Sequence, residues 1–141
     1  MSAPRRGRMT AESETEGSRR RLYLVLLVLW ASLTFLLTSL PNAELPVHFR
    51  FADKAAHLGF YAVMGVLCGL WRRASGVTAG RAVLQALLFI AVAGAADEFH
   101  QHFIPGRSMD LADWIADVLG GSGGGLVSAV LPRVFPVLLA E

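Results

Sequence analysis

Residues 22–40, with the sequence LYLVLLVLWASLTFLLTSL, form a run of 19 residues without a charged side chain. A helix of about 20 apolar residues is long enough to cross the hydrocarbon core of a bilayer, which is roughly 30 Å thick. The basic residues 19–21 just before it would also suit a secretory signal peptide. The run is too long for that, and residues 41–44 offer no small-x-small cleavage site. We therefore predict an uncleaved membrane-spanning helix.

Three further apolar segments follow this one along the chain, at residues 55–71, 82–98 and 111–131. Of the 141 residues, 54% are hydrophobic and 17% are charged, against roughly 25% charged in an average soluble domain. Inside a bilayer the backbone must satisfy its own hydrogen bonds, which a helix does. The predicted fold class is therefore all-α: a polytopic membrane protein built as a four-helix transmembrane bundle.

The two ends of the chain differ from these segments in composition. Residues 1–21 are polar and have almost no large apolar side chain, so we expect a disordered arm. Residues 132–141 are apolar but broken twice by proline, and we expect a short interfacial tail. The transmembrane domain then spans residues 22–131. A formal net charge of +2 is too small to indicate a nucleic-acid partner.

Basic residues are distributed unevenly among the loops. Ten of the thirteen Lys and Arg residues lie before the first apolar segment, between the second and third, or after the fourth. The positive-inside rule assigns such loops to the cytoplasm. We therefore expect both termini inside (N-in/C-in), and the other two loops on the extracytoplasmic side.

Two short stretches contain most of the remaining ionisable side chains: residues 53–57 (DKAAH) and residues 97–120 (DEFHQHFIPGRSMDLADWIADVLG). Ionisable side chains are costly inside a membrane, and where they occur they usually mark a functional site. In the expected topology both stretches reach the outer leaflet. They therefore predict one polar site, which we centre on Glu98, Arg107 and Asp113.

The fourth segment has a polar face. At about 100° per residue, Asp110, Asp113, Asp117, Gly120 and Gly124 fall on one stripe of a helix. Small residues let a neighbouring helix approach closely, so the two glycines are expected at a helix contact. The carboxylates on the same stripe would then face the bundle interior. A buried carboxylate there must be protonated, paired or metal-bound.

The connection before this helix contains residues suited to a tight turn. Pro105 and Gly106 should end the third helix and reverse the chain, with Gly106 free to take a positive φ. Ser108 is expected to cap the fourth helix, with Asp110 near its positive end. These roles are structural.

The motif Asp-Lys-x-x-His, followed by Asp-Glu-x-His-Gln-x-x-x-Pro-Gly-Arg-Ser-x-Asp-x-x-Asp-x-x-x-Asp-x-x-Gly-x-x-x-Gly, resembles that of the VanZ-like family of small membrane proteins. The resemblance covers about residues 22–131. It implies a multi-helix membrane protein, and the family's founding member is associated with low-level resistance to the glycopeptide teicoplanin. The positions that match the family pattern are Asp53, His57, Glu98, Gln101, Arg107, Asp113, Asp117 and Gly120. Many members have asparagine in place of Asp117, so the resemblance implies no need for a charge there.

The first interpretation of the site is an envelope enzyme that acts on a lipid or lipid-linked headgroup. Glu98 or Asp113 would be the general base, and His57 the acid or proton relay. Arg107 would hold a phosphate or carboxylate. The substrate-binding residues would be Arg107, Gln101, Asp53 and Asp117.

The second interpretation is a non-catalytic binding or accessory protein that alters envelope composition or antibiotic access. A divalent cation would support either function, although no ligand spacing here is diagnostic of a metal. Polar side chains between membrane helices also serve as hydrogen-bonding contacts alone, and an intrahelical pair of Asp53 and His57 would be one of these. The expected partners are membrane lipids or lipid-linked envelope intermediates, and no oligomeric state is indicated.

Overall fold

A computed structural model describes the backbone of residues 4–41 and 52–139, and the side chains of residues 14–41 and 52–139. Within these ranges the chain forms four α-helices and one short 3₁₀ turn, with no strand: α1 (Pro4–Thr38), α2 (Ala52–Ala74), α3 (Ala79–Gln101), α4 (Leu111–Val134) and the turn Pro136–Leu138. The all-α, four-helix prediction is confirmed.

Each helix contains a segment that is long and apolar enough to cross a membrane: Glu14–Thr38, Ala52–Ala74, Ala79–Gln101 and Leu111–Val134. Large apolar side chains cover the outside of the bundle. Val92 and Leu111, for example, are 71% and 68% exposed. Such a surface suits lipid, and these four segments support a multi-pass membrane protein.

The ends of the chain differ from the expectation. Helix α1 begins at Pro4, so most of the segment expected to be a disordered arm is helical in the structure. Arg, Glu and Ala favour helix, and a helix already formed in the apolar run adds one hydrogen bond for each residue by which it grows.

At the other end, α4 continues past residue 131 and includes Pro132. A proline two residues before the end of a helix removes only one backbone donor, so the last turn still forms. The 3₁₀ turn that follows is joined to α1, because the Tyr23 hydroxyl donates to the Leu138 carbonyl at 2.8 Å.

Helices α2 and α4 pack together through glycine. A Cβ added at Gly120 would collide with the Leu58 carbonyl, and one added at Gly124 would collide with the Ala62 carbonyl. The expectation that these two glycines lie at a close helix contact is confirmed. Residue numbers in the two contacts increase in the same direction along both helices, from Leu58 to Ala62 and from Gly120 to Gly124. Helices α2 and α4 therefore run parallel, and both begin at the same end of the bundle.

The connection between α3 and α4 forms the tight turn that its residues predict. Gly106 has a φ of 80°, in the left-handed region that favours glycine. The helix cap differs from the expectation. Asp110 is the N-cap residue, and its side chain accepts a hydrogen bond from the Ala112 amide at 2.8 Å. Ser108 lies too far before the start of α4, at Leu111, to act as the cap.

Candidate functional site

Polar side chains gather at the end of the bundle where α1 and α3 finish and α2 and α4 start. We call this region the polar end. Eight of its polar side chains are at most 4% exposed: Thr34, His57, Tyr61, Asp97, Glu98, Gln101, Asp113 and Asp117. All of these except Thr34 and Tyr61 belong to the two stretches that the sequence predicted to converge. Asp53 is exposed, and Arg107 is half-buried.

His57 is paired across the bundle with Asp117. Its Nδ1 lies 2.9 Å from Asp117 Oδ1, and the two side chains are 3% and 0% exposed. The intrahelical pair of Asp53 and His57 is therefore replaced by a contact between α2 and α4. A carboxylate at Nδ1 fixes the orientation of an imidazole ring and leaves Nε2 for a ligand.

Glu98 is held by the turn that follows its own helix. Its Oε2 accepts a hydrogen bond from the backbone amide of Asp110 at 2.7 Å. Its Oε1 lies 4.0 Å from His57 Nδ1. Within the described residues, Oε1 has no hydrogen-bond partner, and neither does Oδ2 of Asp117. Two oxygens of buried carboxylates are thus unsatisfied in the same region.

Lys54 connects the start of α2 to the start of α4. Its ammonium donates to Asp110 and to Asp113, both at 2.8 Å. The hydrogen bond from Lys54, together with the backbone donor of Ala112, lowers the pKa of the Asp110 carboxyl below its usual value. Asp113 is paired with the same cation, so it is less suited than Glu98 to accept a proton from a ligand.

Asp97 lies at the centre of a second network. It accepts hydrogen bonds from the hydroxyl of Thr38 at 2.7 Å, the hydroxyl of Tyr61 at 3.3 Å and the side-chain Nε2 of Gln101 at 3.3 Å. The side-chain oxygen of Gln101, Oε1, in turn accepts from Nε of Arg107 at 3.1 Å, and also from Nη2. Arg107 is therefore joined to Asp97 through Gln101. Among the described residues, it has no ion pair with Glu98 or Asp113.

A cavity of about 60 Å³ lies between α1 and α2 at the polar end. Its polar lining comes from Thr34, Thr38, Asp53, His57, Tyr61 and Arg107, and the side chains of Leu37 and Phe60 are among its apolar walls. A space of this size holds several atoms of a ligand, or a few water molecules. Arg107 and His57 therefore line the same cavity.

A family model described as VanZ/LLP1 matches residues 7–132. The chain belongs to the VanZ/LLP1 family. This confirms the resemblance seen in the sequence motif. Searches of curated proteins and of solved structures found no match.

In this VanZ/LLP1 protein, the structure separates the residues on which the predicted site was centred. Glu98 and Asp113 lie close to His57, whereas Arg107 is held on the Asp97 side, next to the cavity. Pro105 and Gly106 form the turn, and Gly120 and Gly124 form the helix contact. The catalytic and substrate-binding roles of the site residues stay predictions.

Sequence reasoning missed three contributors to the polar end of this VanZ/LLP1 protein. Thr34 and Thr38 line the cavity from α1, and Lys54 pairs with two acids of the motif. The two threonines are one helical turn apart in a run with few polar residues, which is the only signal they leave in the sequence. The lysine was part of the quoted motif but had no assigned role.

Among the described residues, two groups of three bring ligand atoms within 4.8 Å of one another, as a metal ion would require: Asp53, His57 and Asp113, and His57, Glu98 and Asp117. The first includes an exposed carboxylate, and its Asp113 is already paired with Lys54. The second is entirely buried. His57 belongs to both groups, so a single ion would use one or the other.

Proposed function

We propose that this VanZ/LLP1 protein recognises the polar headgroup of an envelope lipid or lipid-linked intermediate at the polar end of its bundle. The observation that supports this most directly is the cavity, because it combines a guanidinium with a histidine–carboxylate pair and apolar walls. A lipid headgroup needs the same combination of surfaces, since its charged part is joined to an acyl chain.

Arg107 supplies the anion-binding group. Its Nε and Nη2 are engaged by Gln101, which fixes the plane of the guanidinium. Nη1 remains for a ligand oxygen. Guanidinium groups bind phosphate and carboxylate through charge-assisted hydrogen bonds, so a phosphate-bearing headgroup is the expected ligand class.

His57 is the group best placed to exchange a proton with that ligand. Asp117 orients the imidazole ring through Nδ1, and the ring lines the cavity. Histidine oriented by a carboxylate is a common general acid or base. Oε1 of Glu98 lies 4.0 Å from Nδ1 of this ring and would stabilise positive charge on it.

The site belongs, in this proposal, to the extracytoplasmic side. Arg72 and Arg73 lie in the last turn of α2, at the end of the bundle opposite His57. Most of the remaining basic residues also lie toward that opposite end, in the first part of α1, the first turn of α3 and the last turn of α4, which supports a cytoplasmic location for it. The polar end would then face the outer leaflet, where envelope lipids and glycopeptides are met.

A second candidate is a binding or accessory protein that changes glycopeptide susceptibility without catalysis. One observation favours it: polar side chains that line the cavity are joined to other helices by hydrogen bonds, as His57 is to Asp117 and Tyr61 to Asp97, which is also the arrangement of polar contacts that only hold membrane helices together. Recognition by Arg107 is common to both candidates.

The test compares Arg107→Ala with the matched control Arg133→Ala, which removes an exposed arginine at the opposite end of the bundle. Each variant is expressed in cells lacking the protein, its membrane level is measured, and envelope lipids are profiled by mass spectrometry. A lipid species that changes with the wild type and with Arg133→Ala, but not with Arg107→Ala, would support headgroup recognition. Wild-type effects that survive in Arg107→Ala at normal levels would contradict it.

The same strains distinguish the two candidates. Unchanged lipids together with a change in glycopeptide susceptibility that needs Arg107 would favour the accessory protein. Orientation is tested separately by single cysteines in a Cys68→Ala background. Phe103→Cys is expected to react with an impermeant thiol reagent from outside, whereas Thr78→Cys, in the loop before α3, is not.

A further inference from the structure

The two unsatisfied carboxylate oxygens of the polar end are unusual for a membrane interior. Glu98 and Asp117 are 2% and 0% exposed, and Oε1 of the first and Oδ2 of the second have no donor within the described residues. A buried carboxylate oxygen that has neither a hydrogen-bond donor nor a cation beside it is energetically costly. These atoms therefore point to a positively charged partner.

Two neighbouring acids in the same region, in contrast, have hydrogen-bond or ion-pair partners. Both oxygens of Asp97 accept hydrogen bonds, from Thr38 on one side and from Tyr61 and Gln101 on the other. Asp113 is paired with the ammonium of Lys54. Among the described acids of the polar end, buried oxygens without a hydrogen-bond partner occur only on Glu98 and Asp117.

Charge compensation leads to the same group of residues. Lys54 is engaged by Asp110 and Asp113, and Arg107 is engaged by Gln101. His57 is the only basic side chain that the described residues place against Glu98 and Asp117. A protonated imidazole would balance one carboxylate and leave the second uncompensated, whereas a divalent cation would balance both.

The distances fit a cation held by all three side chains. His57 Nδ1 lies 2.9 Å from Asp117 Oδ1 and 4.0 Å from Glu98 Oε1, and the three residues offer ligand atoms that are all within 4.8 Å of one another. Around an octahedral ion with bonds of about 2.1 Å, adjacent ligands are about 3 Å apart and opposite ligands about 4.2 Å. The distances of 2.9 and 4.0 Å lie close to these two values, which fits an octahedral ion such as Mn²⁺ better than a tetrahedral one.

We propose that His57, Glu98 and Asp117 form a binding site for one divalent transition-metal cation, Mn²⁺ or Zn²⁺. Carboxylate oxygens suit Mn²⁺ and imidazole nitrogen suits Zn²⁺, while Mg²⁺ and Ca²⁺ prefer oxygen alone. The Asp110 amide that donates to Glu98 Oε2 orients that carboxylate, as outer hydrogen bonds do for metal ligands. The ion would replace the proton between His57 Nδ1 and Asp117 Oδ1, so with the ion bound His57 would act as a ligand instead of exchanging a proton. The proposal goes beyond headgroup recognition by Arg107 and does not depend on it.

The experiment uses the full-length protein, purified in detergent and freed of metal with a chelator. MnCl₂ binding is followed by the loss of the free Mn²⁺ signal in electron paramagnetic resonance, and ZnCl₂ binding by competition with a chromophoric chelator. We expect one ion per chain. Glu98→Gln and Asp117→Asn, which keep the shape of the side chain, should each weaken binding at least tenfold.

Asp97→Asn is the matched control, because it neutralises a buried acid next to Glu98 whose oxygens already accept hydrogen bonds. It should bind the metal as tightly as the wild type does. Asp113→Asn tests the competing group of ligands: a loss equal to that of Glu98→Gln would assign the ion to the group with Asp53 and overturn the proposal. So would absence of binding to the wild type, or undiminished binding by both ligand variants. Helical content and elution volume are measured for every variant before titration, so that unfolded protein is recognised.

Discussion

The two halves of α4 contact the same neighbour, α2, through different kinds of residue. The second half meets α2 through Gly120 and Gly124, where the backbones touch because there is no side chain between them. The first half meets α2 through Asp113 and Asp117, each paired with a basic side chain of α2. The glycine half packs backbone against backbone, and the carboxylate half is joined to α2 by pairs of acidic and basic side chains.

The difference shows how a small membrane protein keeps a polar site in place. The glycine half leaves α4 little freedom to slide or rotate on α2, because each close contact is with a backbone carbonyl that cannot turn away. The position of the carboxylates is then determined by the helix geometry. Stability is expected to depend mainly on the glycine half, and ligand binding on the carboxylate half.

The largest effect is expected from Gly124→Ala, which would break the glycine half. The added methyl group would collide with the carbonyl of Ala62, so the helices must separate, and we expect a loss of about 3 kcal/mol or most of the folded protein. Gly123→Ala is the control, because nothing lies near a Cβ at that position. Yield and thermal unfolding in detergent measure both. Equal stability of the two variants would show that the helices do not touch there.

The next effect tests the carboxylate half as a set of coupled charges. His57→Leu removes the partner of Asp117 and should cost about 2 kcal/mol, because a buried carboxylate is left without a donor. Adding Asp117→Leu removes that carboxylate too, and the double variant should be more stable than the single one. Thermal unfolding of the wild type, both single variants and the double variant gives the coupling. A double variant less stable than His57→Leu would contradict the idea.

A smaller effect is expected where α1 joins the polar end. Thr38→Val deletes one of three donors to Asp97 and should reduce the stability by about 1 kcal/mol. The control is Ser32→Ala, which changes an exposed hydroxyl on the same helix. Both are compared by thermal unfolding. If the two variants are equally stable, α1 contributes nothing to the network through this hydroxyl.

The smallest effect concerns the ion pair between Lys54 and Asp110. The two side chains are 34% and 44% exposed, so water and salt screen much of their attraction. Asp110→Asn keeps a side chain that can cap α4 and leaves Lys54 paired with Asp113. It should cost about 1 kcal/mol or less, and the difference from the wild type should shrink when the salt concentration rises. Unfolding at low and high salt measures this. A difference that does not change with salt would assign the effect to the helix cap.

Much of the fold could be predicted because it depends on local properties of the chain. The charge-free run at residues 22–40 and the three later apolar segments are long enough to be read directly as helices. The helical period placed Asp117 and Gly124 on one face of α4. Gly106 predicted a tight turn, because glycine can take a positive φ. Each of these depends on residues that are close in sequence.

The partners of the side chains could not be predicted in the same way. Nothing in the sequence says that His57 meets Asp117 rather than Asp53, because that depends on α4 packing against α2. Arg107 looked like a partner of the acids, yet it bonds to the uncharged Gln101. Thr38 had no motif around it. These contacts follow from tertiary packing, which the local pattern does not contain.

Glu98 is held by a main-chain donor twelve positions further along the chain. Every residue except proline supplies that donor, so the side chain at position 110 can be replaced without freeing the carboxylate. The number of residues between the two positions is less free to vary, because an insertion or deletion would carry the donor away from its acceptor. We therefore expect this connection to tolerate changes of residue type at position 110 better than changes of length between positions 98 and 110.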